Sequence, residues 1–431
     1  MKHSKLLRLA AVISAMGLVA GACGGTSSSS TKTTTGNGGK STKAPAATAG
    51  FDPATNTIHL GVITPLTGPV AVIGKPLTAG TETWFKYLNE EKGGIAGKYK
   101  VVLDEEDSQY TPTLAVQAYS KLKTTDVLIA QLLGTAVTKA VLPQLQADGM
   151  VAAPASLDAD WVRQKNLIAV GGPYQIQMIN ALNYYLNEGG GKGKTICTMI
   201  QDDAYGQAGQ AGIDFGAKEE GVTVKTTAKF KQASGDFTAQ VQQLKQAACD
   251  AVFLTSTPGD TGKIFGTAAQ LGFTPQWIGQ SPSYIGALSK SPIKDYLAAH
   301  FLLASEGTEY GDPSVKGMKD MVDRIAKFKP DQQPDYYFTF GYYQAEAVTQ
   351  ILEKAVSLGD LSHQGIQNAM DQVGTLTFDG LSGDYKYGPA ATREPPRTST
   401  IFKINLDKPI GIEKVKYNFS SDSAKKFTFT Q

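Results

Sequence analysis

The sequence predicts an α/β protein built as two doubly wound parallel-sheet lobes. Three observations predict it. Short apolar runs alternate with amphipathic helical stretches from Ile58 onward, an order that calls for a parallel sheet with helices on both faces. The alternation runs as far as MVAAPAS and then starts afresh beyond Gly171-Gly172-Pro173. The chain after about Asn56 is also long enough for two domains.

In the first half, IHLGVITPL reads as a strand and AGTETWFKYLNEE as a helix stopped by Gly93-Gly94. KVVLDEED is the second strand. TPTLAVQAYSKLKT is a helix with Thr111 as N-cap and Pro112 at its first position. DVLIAQLLG, TAVTKAVLPQLQADG and MVAAPAS then read as strand, helix and strand. In the second half MINALNYYLNEGG is a helix and KTICTMI a strand. AYGQAGQAGIDFGAKEEG and VTVKTTAKF follow as helix and strand, then DFTAQVQQLKQAAC and DAVFLTS, then TGKIFGTAAQLGF and QWIGQ. No repeat of the solenoid kind interrupts this order.

The N-terminus reads as a targeting segment. Lys2, Lys5 and Arg8 precede an apolar run from Leu9 to Ala22, which ends in small residues before Cys23. That is a signal peptide over residues 1–22 with an extracytoplasmic destination. Residues 23–55 read as a tether. Its Gly/Ser/Thr-rich part, Gly24 to Gly50, holds no large apolar residue and is expected to stay disordered. Such a chain of about 27 residues has a reach of roughly 30 Å.

Composition narrows the function. With 41 Lys+Arg against 39 Asp+Glu the net charge is +2, and no basic stripe of the kind that holds nucleic acid is present. No later segment is apolar enough to span a membrane. GGGKGKTIC, Gly189 to Cys197, imitates a phosphate-binding loop, but such a loop follows a strand and opens a helix. Here a helix precedes and a strand follows, so the glycines are a helix stop and Lys192 and Lys194 are turn residues. The chain has no H-E-x-x-H and no G-x-S-x-G, and His3, His59, His300 and His363 lie far apart. Asp104, Glu105, Glu106 and Asp107 read as a solvated strand end with one hydrogen-bonded carboxylate, not as a metal or acid–base site. The expectation is no enzyme, no metal and no cofactor.

Cys23 after small residues resembles the lipobox of bacterial lipoproteins, with Ala20 where a Leu is usual. The resemblance implies lipidation at Cys23 and anchoring to the outer face of the membrane. Gly61-Val62-Ile63-Thr64-Pro65-Leu66-Thr67-Gly68, with Ala71, Gly74 and Ala79-Gly80, resembles the first strand and loop of the ABC-importer binding proteins for leucine, isoleucine and valine. NEEKGGIAG, DEEDSQYTPTLAV, GTAVTKAVLPQL, APAS and QDDAYGQAG are similar to further segments of that family in order and spacing, from about Ile58 to Phe402. The resemblance implies the type I periplasmic binding protein fold, whose chain crosses three times between lobes, with ligand in the cleft. It places the crossings near Gly171–Pro173, Ala304–Gly307 and Leu381–Asp384. Lobe 1 is then 56–171 plus 305–383, and lobe 2 is 172–304 plus 384–431.

The same resemblance implies the site. Thr135, with Gly134, opens a helix whose free N–H groups and dipole suit a carboxylate; a local N-cap role for its hydroxyl is the competing reading. Ala155, Ser156 and Leu157 match the second part of the carboxylate site. Tyr205 matches a tyrosine closing from the second lobe, Thr257 and Asp260 lie where further second-lobe contacts fall, and Ile73 matches a position at the mouth. Tyr110 and Tyr337 are weaker candidates. Ser281 stands where amino-acid binders carry an acid for the ligand's ammonium. Either another acid such as Asp260 substitutes, or the ligand has no ammonium; GGPYQIQ also looks like the amide- and urea-binding branch. The family's first-lobe disulfide positions match Tyr110 and Gly134. Cys197 and Cys249 fall on neighbouring second-lobe strands, and both a bridge and two free thiols remain open.

The implied partners are a small polar organic solute, branched-chain amino acid or related carboxylate or amide, and a membrane permease, with the protein acting as a monomer. A ligand sensor signalling to a partner is the alternative.

Overall fold

Phe51 sets the true start of the fold. The computed structural model of the protein describes residues 44–430; the signal segment 1–22, Cys23 and the tether as far as residue 43 lie outside the described residues. The chain enters through β1 (Phe51–Asp52), antiparallel to β2 (Thr57–Thr64). Phe51 is 3% exposed and its ring stands edge-on to Tyr99 at 5.2 Å. Gly50 lies so close to the backbone that a Cβ would sit 2.3 Å from the Val127 nitrogen. The end of the expected tether, 44–55, is therefore part of the first lobe. One buried aromatic ring supplies the apolar surface that the preceding Gly/Ser/Thr composition lacks.

Then come α1 (Ala71–Glu91), β3 (Lys100–Asp107), α2 (Pro112–Leu122), β4 (Leu128–Leu133), α3 (Thr135–Asp148) and β5 (Ala152–Ala155). β2 lies between β3 and β4, β5 flanks β4, and these pairings are all parallel. α1 begins eight residues before the stretch expected, despite Pro76 inside it. Tertiary packing overrides the break. Gly74 sits on the Pro65 carbonyl, where a Cβ would be 2.0 Å from the oxygen, and Ile73 and Leu77 are buried.

The chain crosses at Gly171–Pro173 and lays down α4 (Tyr174–Asn187), β6 (Ile196–Gln201), α5 (Ala204–Glu220), β7 (Val224–Phe230), α6 (Thr238–Gln246), β8 (Ala251–Thr255), α7 (Pro258–Gln270), β9 (Gln276–Gln280), α8 (Lys294–His300) and β10 (Phe301–Ser305). Strands run in the order β7-β6-β8-β9-β10, all parallel. The segment 188–195 is a turn from α4 into β6, with the Thr195 N–H donating to Asp250 Oδ2 at 2.8 Å, the inverse of a phosphate loop.

After Ser305 the chain returns to the first lobe with α9 (Lys316–Phe328), α10 (Tyr336–Leu358), α11 (His363–Gln372) and a small hairpin, β11 (Thr375–Leu376) with β12 (Tyr385–Lys386). α10 presses on α1 through two glycines. A Cβ on Gly80 would sit 2.1 Å from the Phe338 oxygen, and one on Gly341 1.9 Å from the Leu77 oxygen. The third crossing lies later than residues 381–384. Tyr385 and Tyr387 belong to the first-lobe core, Lys386 pairs with Glu394, and only β13 (Ser399–Ile404) joins the second sheet. β13 and β14 (Ile412–Phe419) extend that sheet as antiparallel strands, an addition to the parallel sheet expected, and α12 (Asp422–Lys426) follows.

Cys197 and Cys249 are bridged, with Cα atoms 5.8 Å apart. β6 pairs directly with β8, and Cys249 stands two residues before β8, so the bridge ties β6 to the start of its neighbour β8. The acidic run on β3 is structural. Asp104 pairs with His59 at 2.8 Å, Glu106 with Lys121 at 3.0 Å, and Asp107 accepts from the Leu66 N–H at 2.9 Å and the Thr67 hydroxyl at 2.6 Å. Those bonds hold the loop leading into α1. Among the described residues no group of three His, Cys, Asp or Glu side chains is placed to hold a metal, and no helix is long and apolar enough to cross a membrane.

Candidate functional site

Between the lobes lies a small cavity. Its first-lobe wall comes from the C-terminal ends of the parallel strands, where open α/β sheets place ligands. Leu133 and Gly134 follow β4, and Ala155, Ser156 and Leu157 follow β5. Ile73 and Leu77 reach in from the first turns of α1, and Tyr337 and Phe340 from α10. The second lobe contributes Tyr174, Tyr205, Thr257 and Ser281. Nine of the ten binding residues expected from the sequence line this one space: Ile73, Gly134, Thr135, Ala155, Ser156, Leu157, Tyr205, Thr257 and Ser281.

The polar features concentrate at α3. Gly134 is its N-cap, at φ 113° and ψ 138°, and no side chain caps the helix. Its first N–H groups therefore lack the side-chain acceptor that usually satisfies them. Thr135 is 1% exposed, and its Oγ1 has no hydrogen-bond partner among the described residues. The local capping role is thereby set aside: Thr135 is the first helical residue, not the cap. Tyr110 packs over Gly134 so tightly that a Cβ there would lie 2.6 Å from Cε2 of the ring. Ser156 accepts from Trp161 Nε1 at 3.1 Å, which leaves its own hydroxyl proton to donate.

Asp260 is the expected residue that does not line the cavity. Its Oδ2 accepts from the Ala233 N–H at 3.0 Å and from Thr257 Oγ1 at 3.3 Å. The reason is its position in the first turn of α7, where a carboxylate is drawn to the helix's own start and the neighbouring loop. Conversely, Tyr110 and Tyr337, ranked low from sequence, both line it.

Sequence reasoning missed Glu306, Tyr336 and Tyr174 in the lining and Gln177 behind it. Glu306 is 3% exposed and stands where the chain leaves β10. Its Oε1 accepts from the hydroxyls of Tyr336 and Tyr343, the latter at 3.3 Å, and its Oε2 from Gln177 Nε2 at 2.8 Å. Burial pushes its carboxyl up from the usual range. Gln177 also donates to the Gly172 carbonyl at 2.8 Å and accepts from the Ser281 N–H at 3.1 Å. One amide thus ties the first crossing, the second crossing and the cavity wall together. GGPYQIQ carried the only sequence signal for it, as an odd polar pair in an otherwise apolar helix start.

Tyrosines link the second lobe to the first. Tyr174 and Tyr205 meet edge-to-face at 5.2 Å, Tyr205 packs into the first-lobe core, and the Tyr337 hydroxyl on α10 donates to the Tyr284 carbonyl at 3.2 Å. Burial holds the phenols of Tyr174, Tyr205 and Tyr337 well above their ordinary pKa. They are neutral walls with a polar tip.

Known proteins share this architecture. The periplasmic binding protein family model matches residues 57–409. A Leu/Ile/Val-binding protein homolog 3 from Brucella melitensis is 27% identical over 385 residues, covering 85% of this chain and 97% of the relative. A fatty acid ABC transporter substrate-binding protein from Thermomonospora curvata superposes with a TM-score of 0.81 at 25% identity, over 90% of this chain and 97% of that one. A branched-chain amino acid ABC transporter protein from Thermus thermophilus with bound valine has the same fold, at a TM-score of 0.71 and 18% identity over 86% and 98% of the two chains. The chain belongs to the periplasmic binding protein family, with the type I fold.

Proposed function

We propose that this protein is the extracytoplasmic solute-binding component of an ABC importer. It captures a small organic solute, a branched-chain amino acid or a related carboxylate or amide, by closing its two lobes. Solute docks first on Thr135 and Ser156 in the first lobe. Tyr205 and the Thr257 loop then complete the enclosure, and contacts from both lobes favour the closed form. The closed protein docks on a membrane permease, as a monomer held at the outer membrane face through a lipid on Cys23. The chain's own residues bind and exclude water; no bond is made or broken in the solute.

The observation that carries this reading is the Thr135 hydroxyl, buried in the wall of an interlobe cavity with no partner among the described residues. It sits at an uncapped helix start suited to a carboxylate. The relatives' names support a solute with an acid group. Thr135→Ala removes one hydrogen bond to a charged group, so affinity for the bound solute falls roughly 10- to 100-fold while the melting temperature of the ligand-free protein stays within a degree or two. Titration calorimetry of both proteins tests it, and equal affinities would refute the site.

A further inference from the structure

We infer that the solute is an apolar monocarboxylate carrying no ammonium group; the inference rests on the solute-binding reading above and narrows it. The acid end of the cavity is provided for. Thr135 offers a buried unpartnered hydroxyl at the uncapped start of α3, and Ser156 has a proton left to give. Both groups donate, and the helix start adds N–H groups and the positive end of its dipole.

Nothing comparable among the described residues receives a cation. Glu306 is the one acidic side chain among them that lines the cavity. Three donors already hold its two oxygens: the hydroxyls of Tyr336 and Tyr343 and the Gln177 amide. Those bonds join α10 of the first lobe, α4 of the second and the crossing between them, so Glu306 serves the hinge. Burial also pushes its carboxyl above the usual range. Asp260 faces its own loop, and Asp203 is engaged by the N–H groups of Tyr205 and Gly206 at 3.0 and 3.1 Å. An ammonium in this cavity would be buried without a counter-charge, a costly arrangement. Apart from Thr257 and Ser281, the remaining wall is hydrocarbon and ring: Ile73, Leu77, Leu133, Leu157 and Phe340 among the tyrosines. Hydrocarbon placed against that wall gains the usual benefit of apolar burial.

Calorimetry on the purified protein with three matched pairs tests the inference: 4-methylpentanoate against leucine, 3-phenylpropanoate against phenylalanine, and decanoate against 2-aminodecanoate. At least one acid is expected to bind, about ten-fold or more tighter than its amino counterpart, and Thr135→Ala is expected to weaken it. Glu306→Gln, if it melts cooperatively, is expected to keep the preference for the acid. An amino acid binding more tightly than its paired acid, in a Thr135-dependent way, overturns the inference and leaves the solute-binding site standing; loss of that preference in Glu306→Gln would name the ammonium partner. Because the wild-type pairs decide the matter alone, a poorly folded variant does not blunt the test. If none of the six binds, the inference falls, and the assignment of the cavity as a carboxylate site falls with it.

Discussion

Two strand-to-helix turns reach the cavity region from opposite lobes, and they are finished differently. In the first lobe, β4 passes into α3 through Gly134, with no capping side chain and with Thr135 Oγ1 buried and unpartnered among the described residues. In the second, β6 passes into α5 through Asp203, whose Oδ1 accepts from the N–H groups of Tyr205 and Gly206. The second helix start is satisfied from within; the first is not. A capped helix start adds stability, whereas an uncapped one facing a cavity keeps its donors for something else. On the proposed reading, the asymmetry gives recognition of charge to the first lobe and leaves aromatic cover, Tyr205 and Tyr174, to the second.

That contrast can be broken or sharpened by experiment. The largest effect concerns how the second lobe is held. The Cys197–Cys249 bridge closes a loop of 52 residues, which by chain entropy corresponds to about 4 kcal/mol of stability. Replacing both cysteines by serine should lower the denaturant midpoint accordingly. Hydrogen exchange should show the loss in β6 and β8 while β2 and β4 keep their protection. Uniform loosening of both lobes would show that they unfold as one unit.

Next in size is the pH profile. Burial pushes Asp126 up to about 7, Asp335 up to about 6 and Glu346 up to about 8, and all three lie in the first lobe. Each carboxyl keeps its proton in the folded state at a pH where the unfolded chain, with ordinary values near 4, has lost it. Stability contributed this way is present at acid pH and falls as pH rises from about 4 toward 8. The melting temperature should therefore be several degrees higher at pH 5.5 than at pH 8. Asp312, drawn down to about 2 by Lys414 of the second sheet, should add no dependence in that window. A profile flat or rising from pH 5.5 to 8 would contradict it.

The smallest effect is the most direct test of the two helix starts. Asp203→Ala should cost about 1 kcal/mol of stability and leave both the affinity for the bound acid and its preference over the amino counterpart unchanged, whereas Thr135→Ala keeps stability and loses affinity. Should Asp203→Ala instead alter that preference, the second helix start would belong to the recognition surface after all.

Much of this architecture is legible in the order of residues alone. The strand–helix alternation points to both sheets. GTAVTK after an apolar strand points to the Gly134–Thr135 part of the cavity wall, because a strand followed by glycine and a hydroxyl residue leaves a local signature. What escapes such reading is what depends on distant contacts. Phe51 is a lone aromatic after a polar stretch, and only Tyr99 and the Val127 backbone make it the start of the fold. Glu306 in ASEGTE looks like any loop acid. Its partners lie at positions 177, 336 and 343, on two other elements. Asp260 misleads for the converse reason, since a first-turn carboxylate satisfies its own neighbourhood at short range. The third crossing comes later than expected because the hairpin of β11 and β12 has two residues per strand, too few for a periodic pattern.

The burial of the lining has a kinetic consequence. Thr135, Tyr205, Glu306, Ser281 and Thr257 are each 5% exposed or less, so a solute held against them is largely covered from water. On the proposed reading, its escape waits on separation of the lobes, which the Tyr337–Tyr284 bond and the Gln177 node oppose. Residence time then becomes a property of the hinge more than of the solute. Chemically different solutes should leave at similar rates even where their affinities differ, and a permease that pries the lobes apart would control delivery without competing for the solute itself.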